Sequence, residues 1–396
     1  MEVSDAAPAM TTASGLFQVG TGCLAGSYDG VFISTDLEPD DALALAALAP
    51  KLRGVPLLVV VGEGPVDKRE MMANLLSSFG MDAGAVVLQG RTSKASFPSG
   101  VAESYHNASK AHGCTILDDV DAAAVKTQIT SFLTEHATPF ALLLKPPHEL
   151  VGIDAPLLAK TKATLYGSFN LSCVRDVINE DAGGTLDAAA QHEQQFAFMA
   201  KFGRLLWIER SLSVGRDSVL EPRCCPAAIW AAIDAHPGLT RHIQLWNASI
   251  VREMGGKIAK YPSDIDKALG PAPAAGSPPV TLTDDSYGKL EGDTEKLDKR
   301  VKILLSITQC RGRQVCHADT LVATCLLDDP RLAAYERPCK LAVDTKFKPT
   351  MEALPGSNVY GLIAEAGEPR AALNASSLEV LATAFSALGL AGGTTA

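Results

Sequence analysis

The chemistry of this chain concentrates in Asp36-Leu37-Glu38-Pro39-Asp40-Asp41, where four carboxylates fall within six residues. An apolar run, Val31-Phe32-Ile33-Ser34, precedes them, and Ala42-Leu43-Ala44-Leu45 follows, so a buried strand leads into an acidic turn and then a helix. Carboxylates crowded on one turn repel one another unless protons or a cation compensate. A hard divalent cation meets that need, because Ca²⁺ gathers several oxygen ligands and carboxylates are its usual protein donors. On the other reading, Asp40 caps the helix and the remaining acids are solvated. The turn by itself leaves both open.

Other constellations are thinner. Cys310, Cys316 and His317 lack a fourth zinc ligand and a familiar spacing, so free thiols are the better account. Asp36 after a strand also suits the nucleophile of a haloacid dehalogenase type phosphatase, but Glu38 stands where the second Asp is needed. Gly62-Glu63-Gly64 is too little for a phosphate loop. Trp207, Trp230, Trp246 and Tyr166 could stack on a base, although aromatics in apolar segments are usually core.

The elements that must position these residues are nearly continuous apolar runs: Val31–Ser34, Val55–Val61, Ala85–Leu88, Phe140–Leu144, Ala163–Tyr166 and Leu205–Ile208. Strands of this kind are buried on both faces. Helical patterns at 41–52, 68–79, 122–135, 186–202, 227–235 and 377–388 are long enough for crossovers. The class is therefore α/β, with a mostly parallel central sheet and helices on both faces. Residues 1–30 read as an N-terminal extension, 31–391 as a single α/β domain, and 392–396 as a frayed tail. Pro271, Pro273, Gly276, Pro278 and Pro279 make 261–296 a loop or insertion.

Composition narrows the function. A net charge of −10 repels a phosphate backbone, which argues against a nucleic-acid partner. No apolar run approaches the ~20 residues of a membrane-spanning helix. The acidic start and the odd, irregularly spaced set of nine cysteines favour a cytoplasmic protein with reduced thiols.

The acidic turn resembles the Asp-x-Asp-Pro-Gly-x-Asp-Asp signature of the inosine–uridine-preferring nucleoside hydrolase family. Further segments keep that family's order. Val60-Val61-Gly62-Glu63-Gly64 resembles its Val-Ala-Gly-Asn turn, and Asn74 matches an Asn in the next helix. Leu142 to Pro147 stands for its Ala-Thr-Gly-Pro loop, Tyr166 to Asn170 for Met-Gly-Gly, and Lys201 to Trp207 for its Gly-Val-Pro strand. Ala318-Asp319 to Pro330 resembles its His-Asp-Pro-Leu-Ala-Val-Ala helix.

The resemblance implies a nucleoside hydrolase-like fold and Ca²⁺-dependent cleavage of the N-glycosidic bond of a small nucleoside-like substrate, in a homo-oligomer serving base salvage. It implies that Asp36, Asp41 and Asp319, with the Lys145 carbonyl, bind the metal. Asp36 would also take a proton from a metal-bound water, while Asp40, Glu63 and Asn170 contact ribose. Four departures matter. Ser34 replaces the first signature Asp, Glu38 the Gly, and Glu63 an Asn. Ala318 stands where a histidine helps the base depart. His317, one residue away, is the candidate acid if the local backbone differs, and otherwise a capping or surface histidine. Two alternatives follow. One is a member that binds riboside and metal without turnover. The other is a hydrolase of nucleoside 5′-monophosphates, if Lys145, Lys160 or Arg175 reaches the 5′ end.

Overall fold

A computed structural model of the chain describes residues 15–62, 67–90, 100–107, 110–117, 121–167, 188–209, 219–220, 222, 225–257, 312–343, 349–362 and 370–392. Glu63, Asn170, Arg175, Cys310, the stretch 261–296 and the last four residues lie outside these.

A hairpin of β1 (Phe17–Val19) and β2 (Gly26–Tyr28) comes first. The strands β3 (Gly30–Thr35), β4 (Leu57–Val61), β5 (Ala85–Gln89), β6 (Thr115–Ile116), β7 (Pro139–Leu143), β8 (Lys162–Gly167) and β9 (Arg204–Glu209) follow. A small pair, β10 (Val219–Leu220) and β11 (Val315–Cys316), stands apart from β12 (Glu336–Val343), β13 (Pro349–Ala353) and β14 (Val359–Leu362). Ten of these strands make one sheet in the order β13-β12-β14-β9-β8-β7-β3-β4-β5-β6. Neighbours from β14 to β6 are parallel, and β12 runs antiparallel to β13 and β14. The expected α/β class, with a mostly parallel sheet, is what the chain adopts.

The described helices are α1 (Pro39–Leu52), α2 (Arg69–Ser78), α3 (Ala122–Glu135), α4 (Ala155–Lys160), α5 (Ala188–Met199), α6 (Ala227–Ala235), α7 (Pro237–Lys257), α8 (Asp319–Cys325), α9 (Pro330–Ala333) and α10 (Arg370–Gly392). They cover both faces, since side chains alternate along each strand. Val31 and Ile33 join a core with Leu45, Met72, Ile243, Leu321 and Phe385, while Phe32 points the other way to Ile129, Phe132 and Phe198. Every residue from Asp41 to Ala49 is buried, because α1 is enclosed by the sheet, α8 and α10. An all-round apolar helix is the sequence form that such a position requires. The hairpin also packs on the core: Phe17 and Tyr28 meet the Phe140 ring at 5.1 and 4.9 Å between centroids.

Sheet order fixes where a site can lie. From β3 the chain steps outward through β4, β5 and β6, then returns to the other side of β3 as β7. The connections after β3 and β7 therefore diverge, leaving a crevice at the carboxyl ends of these strands. Asp36 is the first residue beyond β3.

Candidate functional site

The acidic turn is held by its own backbone and by Thr35. The Thr35 hydroxyl donates to Asp41 Oδ1 at 2.5 Å and accepts the Leu37 N–H at 2.9 Å. The Glu38 N–H donates to Asp41 Oδ2 at 3.1 Å, and Pro39 occupies the first turn of α1, where no amide donor is missed. Leu37 adopts a left-handed backbone, φ 58°, which costs a non-glycine residue about 1–2 kcal/mol. Its fully buried side chain offsets that strain. Glu38, at the signature's glycine position, has φ −74° and needs no glycine. That explains how the turn tolerates a side chain there.

Asp319 opens α8, which packs along α1, and so arrives from the far end of the chain beside the turn. Asp40, Asp41 and Asp319 each bring a carboxylate oxygen within 4.8 Å of the others. Asp36 stands outside that triplet, partly exposed, and its charge still acts on all three. Burial first, and then the Asp36 charge, push the Asp40 carboxyl up to about 7. Burial and neighbouring carboxylates hold Asp41 and Asp319 well above the usual carboxylate range. Asp319 Oδ1 is buried with no hydrogen-bond partner. A buried acceptor left unpaired beside two further carboxylates suits a hard cation.

These directions set a pH dependence. A native carboxyl whose pKa is raised keeps a proton that the unfolded chain has released. Stability is therefore full below the unfolded value of about 4 and declines as pH rises toward about 7. In chelator, the melting temperature is expected to fall across that window, and a divalent cation should reverse the fall. Thermal melts at about pH 4.5, 6 and 7.5, with and without Ca²⁺, measure this; a rising chelator curve would contradict it.

Two buried lysines flank the turn. Lys68, ahead of α2, donates its ammonium to the Asp36 carbonyl and its backbone N–H to Gln89 Oε1 at 3.2 Å. Lys145, two residues past β7, is brought beside β3 by the Leu144 N–H, which donates to the Ser34 carbonyl at 2.9 Å. The Lys145 ammonium is buried against Glu149. The Glu149 carboxylate also accepts from Ser34 Oγ at 3.3 Å and lies 3.3 Å from His148 Nε2. Gly62 and Gly90 make room for this group: a Cβ on either would come within 2.8 Å of Lys145 Cε or Glu149 Oε1. Gly62 thus has a packing role at the end of β4. Glu149 was legible only as an acid four residues after Lys145, and Lys68 and Thr35 carried no signal.

His317 lies in the core, not at the surface. Ser377 Oγ donates to the Asn374 carbonyl at 2.8 Å, so the hydrogen in its 2.6 Å bond to His317 comes from Nε2. Nδ1 then accepts from Thr320 Oγ1 at 2.5 Å. Burial pushes its pKa down to about 4, leaving a neutral ring with both nitrogens engaged. That ring braces the start of α8 against α10 and so helps fix Asp319. Lys160 lies at the opposite end of the sheet, where its ammonium donates to the His136 carbonyl, ahead of β7, at 2.7 Å. Trp207 and Trp230 are core, as aromatics in apolar segments usually are.

Fold and site together define an α/β protein with a carboxylate centre at the topological switch point of its sheet. No protein-family model matches the chain, and no curated protein matches it. Among solved structures, it is similar to an inosine-guanosine nucleoside hydrolase at 11% identity and a TM-score of 0.40, covering 89% of this chain and 98% of that one. Among the described residues, no helix is long and apolar enough to cross a membrane.

Proposed function

We propose that this chain is a Ca²⁺-dependent N-ribosyl hydrolase that releases the base from a ribonucleoside or a close relative. The observation that carries the reading is Asp319, which comes from a distant helix to lie buried against Asp40 and Asp41 with Oδ1 unpartnered. The ordered resemblance of the segments from 31 to 330 supports it. Asp40, Asp41 and Asp319 would hold the cation; the resemblance adds Asp36 and the Lys145 carbonyl, and gives Asp40, Glu63 and Asn170 to ribose. A cation there would neutralise the crowded carboxylates and lower the pKa of a nearby water. Asp36 would accept the proton of the water that adds to the anomeric carbon. The remaining negative charge favours the oxocarbenium-like state through which a glycosidic bond breaks.

Calcium titration with calorimetry and thermal melts tests this reading. At a hundredfold excess over its dissociation constant, Ca²⁺ adds about 2.7 kcal/mol to native stability. With an unfolding entropy of ~2.1 cal/mol/K per residue, that raises the melting temperature by roughly 3 °C. Asp319→Asn should abolish both the heat of binding and the shift, whereas Ala318→His should keep them. No heat in the wild type would reduce the turn to a capped helix start. Because His317 has both nitrogens engaged and Ala318 cannot donate, a second reading is a protein that binds riboside and metal without turnover. Reducing-sugar release from a nucleoside panel, with and without chelator, separates the two.

A further inference from the structure

Among the described residues, the buried polar atoms that lack partners include His242 Nε2 and Gln89 Nε2. Both residues are tied to Lys68. Gln89 ends β5 and accepts the Lys68 N–H through Oε1, which leaves its amide nitrogen turned away. His242, in the second turn of α7, is fully buried and close enough to feel the Lys68 ammonium, which itself donates to the Asp36 carbonyl. Lys68 and Tyr105 sit on the connections that leave the carboxyl ends of β4 and β5, and Gln89 is the last residue of β5, on the side of the sheet where the acidic turn lies.

The tautomer of His242 follows from Tyr105. The buried Tyr105 hydroxyl lies 3.0 Å from His242 Nδ1, and its hydrogen needs an acceptor there. Nδ1 accepts it, so Nε2 carries the ring hydrogen. The Tyr105 and Trp246 rings meet the imidazole edge-on at 5.7 and 6.2 Å between centroids and fix its plane. Burial and the Lys68 charge push its pKa down to about 3, so the ring is neutral. A buried N–H without an acceptor costs about 1–3 kcal/mol, which an apolar residue would avoid. A ligand atom that accepts this hydrogen explains why the group is kept.

Resting on the hydrolase reading, we propose that His242 Nε2–H donates a hydrogen bond to an acceptor atom of the heterocyclic base of the bound riboside, with Tyr105 as its positioning residue. The ligand class is a ribosyl heterocycle with a ring nitrogen or carbonyl near the glycosidic bond. As the C1′–N bond breaks, its electron pair leaves on the base nitrogen, and the imidazole N–H stabilises that charge without giving up its proton. Water adds to C1′, its proton goes to Asp36, and the base is protonated afterwards by solvent. A neutral histidine with a depressed pKa can serve as such a donor.

The experiment compares inosine and uridine with p-nitrophenyl β-D-ribofuranoside, whose phenolate leaves unaided. In His242→Phe, the ratio of kcat/KM between the nucleosides and the p-nitrophenyl riboside should fall about a hundredfold, in the range of a lost donor to developing charge. Tyr105→Phe should lower the same ratio about tenfold, and His242→Gln, which keeps an N–H, should recover part of it. Equal losses on both substrate classes, or an unchanged ratio, would overturn the proposal and leave a water-satisfied core pair. If the wild type cleaves no riboside, the hydrolase reading fails separately. Calorimetry then decides the base contact: inosine should bind about tenfold more weakly to His242→Phe while ribose binding stays the same, and equal inosine affinities would refute it.

Discussion

Asp36→Asn is expected to lower riboside hydrolysis by about 10²–10⁴-fold, the usual contribution of a positioned base. The substitution keeps the size of the side chain, and the Lys68 ammonium binds the backbone carbonyl of this residue, so the turn should stay folded. Because the Asp36 charge helps to raise Asp40, Asp41 and Asp319, its removal should also flatten the pH dependence of stability in chelator. Calcium affinity separates two roles. Affinity within tenfold of wild type would make Asp36 a base outside the metal triplet, whereas loss of binding would place it among the ligands. Turnover within threefold of wild type would remove it from the reaction.

Glu149→Ala should destabilise the protein by about 3–5 kcal/mol, because it strands the Lys145 ammonium in a site with no exposure. Ser34 Oγ would lose its acceptor and His148 the neighbouring negative charge as well. The paired replacement Lys145→Met with Glu149→Leu removes both charges and should cost far less, since a buried ion pair and an apolar pair of similar volume are often close in stability. Urea unfolding of the two variants gives the comparison. Equal losses would mean that volume, not the stranded charge, sets the cost.

Much of the architecture was legible along the chain. Helix α3 at 122–135 and helix α6 at 227–235 have the expected limits, and the six apolar runs became β3, β4, β5, β7, β8 and β9. A central parallel strand is buried on both faces, so its whole segment is apolar and announces itself. The strands β12 and β14 did not. They lie toward one edge, and Glu336, Arg337, Pro338 and Lys340 within β12 break any apolar run. The long helix α7 was missed for a related reason, since Arg241, His242, Gln244 and Asn247 interrupt its apolar spacing.

The acidic turn and the Asp that opens the late helix stand in the sequence by residue type, because chemistry requires carboxylates and a local motif carries them. What they do to one another was decided by packing. Asp319 meets Asp41 only because α8 packs along α1, and the shared burial, not the residue types, raises their affinity for protons. His317 shows the same division. It looked like a surface or catalytic residue by its neighbours in sequence, yet Thr320 and Ser377 take both its nitrogens inside the core. Lys145 was read for its backbone carbonyl, and the fold added Glu149, Ser34 and two glycine-made gaps around its side chain. Periodicity and motifs report interactions between residues close in the chain. Burial, charge coupling and hydrogen-bond partners depend on strand order and helix packing, which bring together residues that no local pattern links.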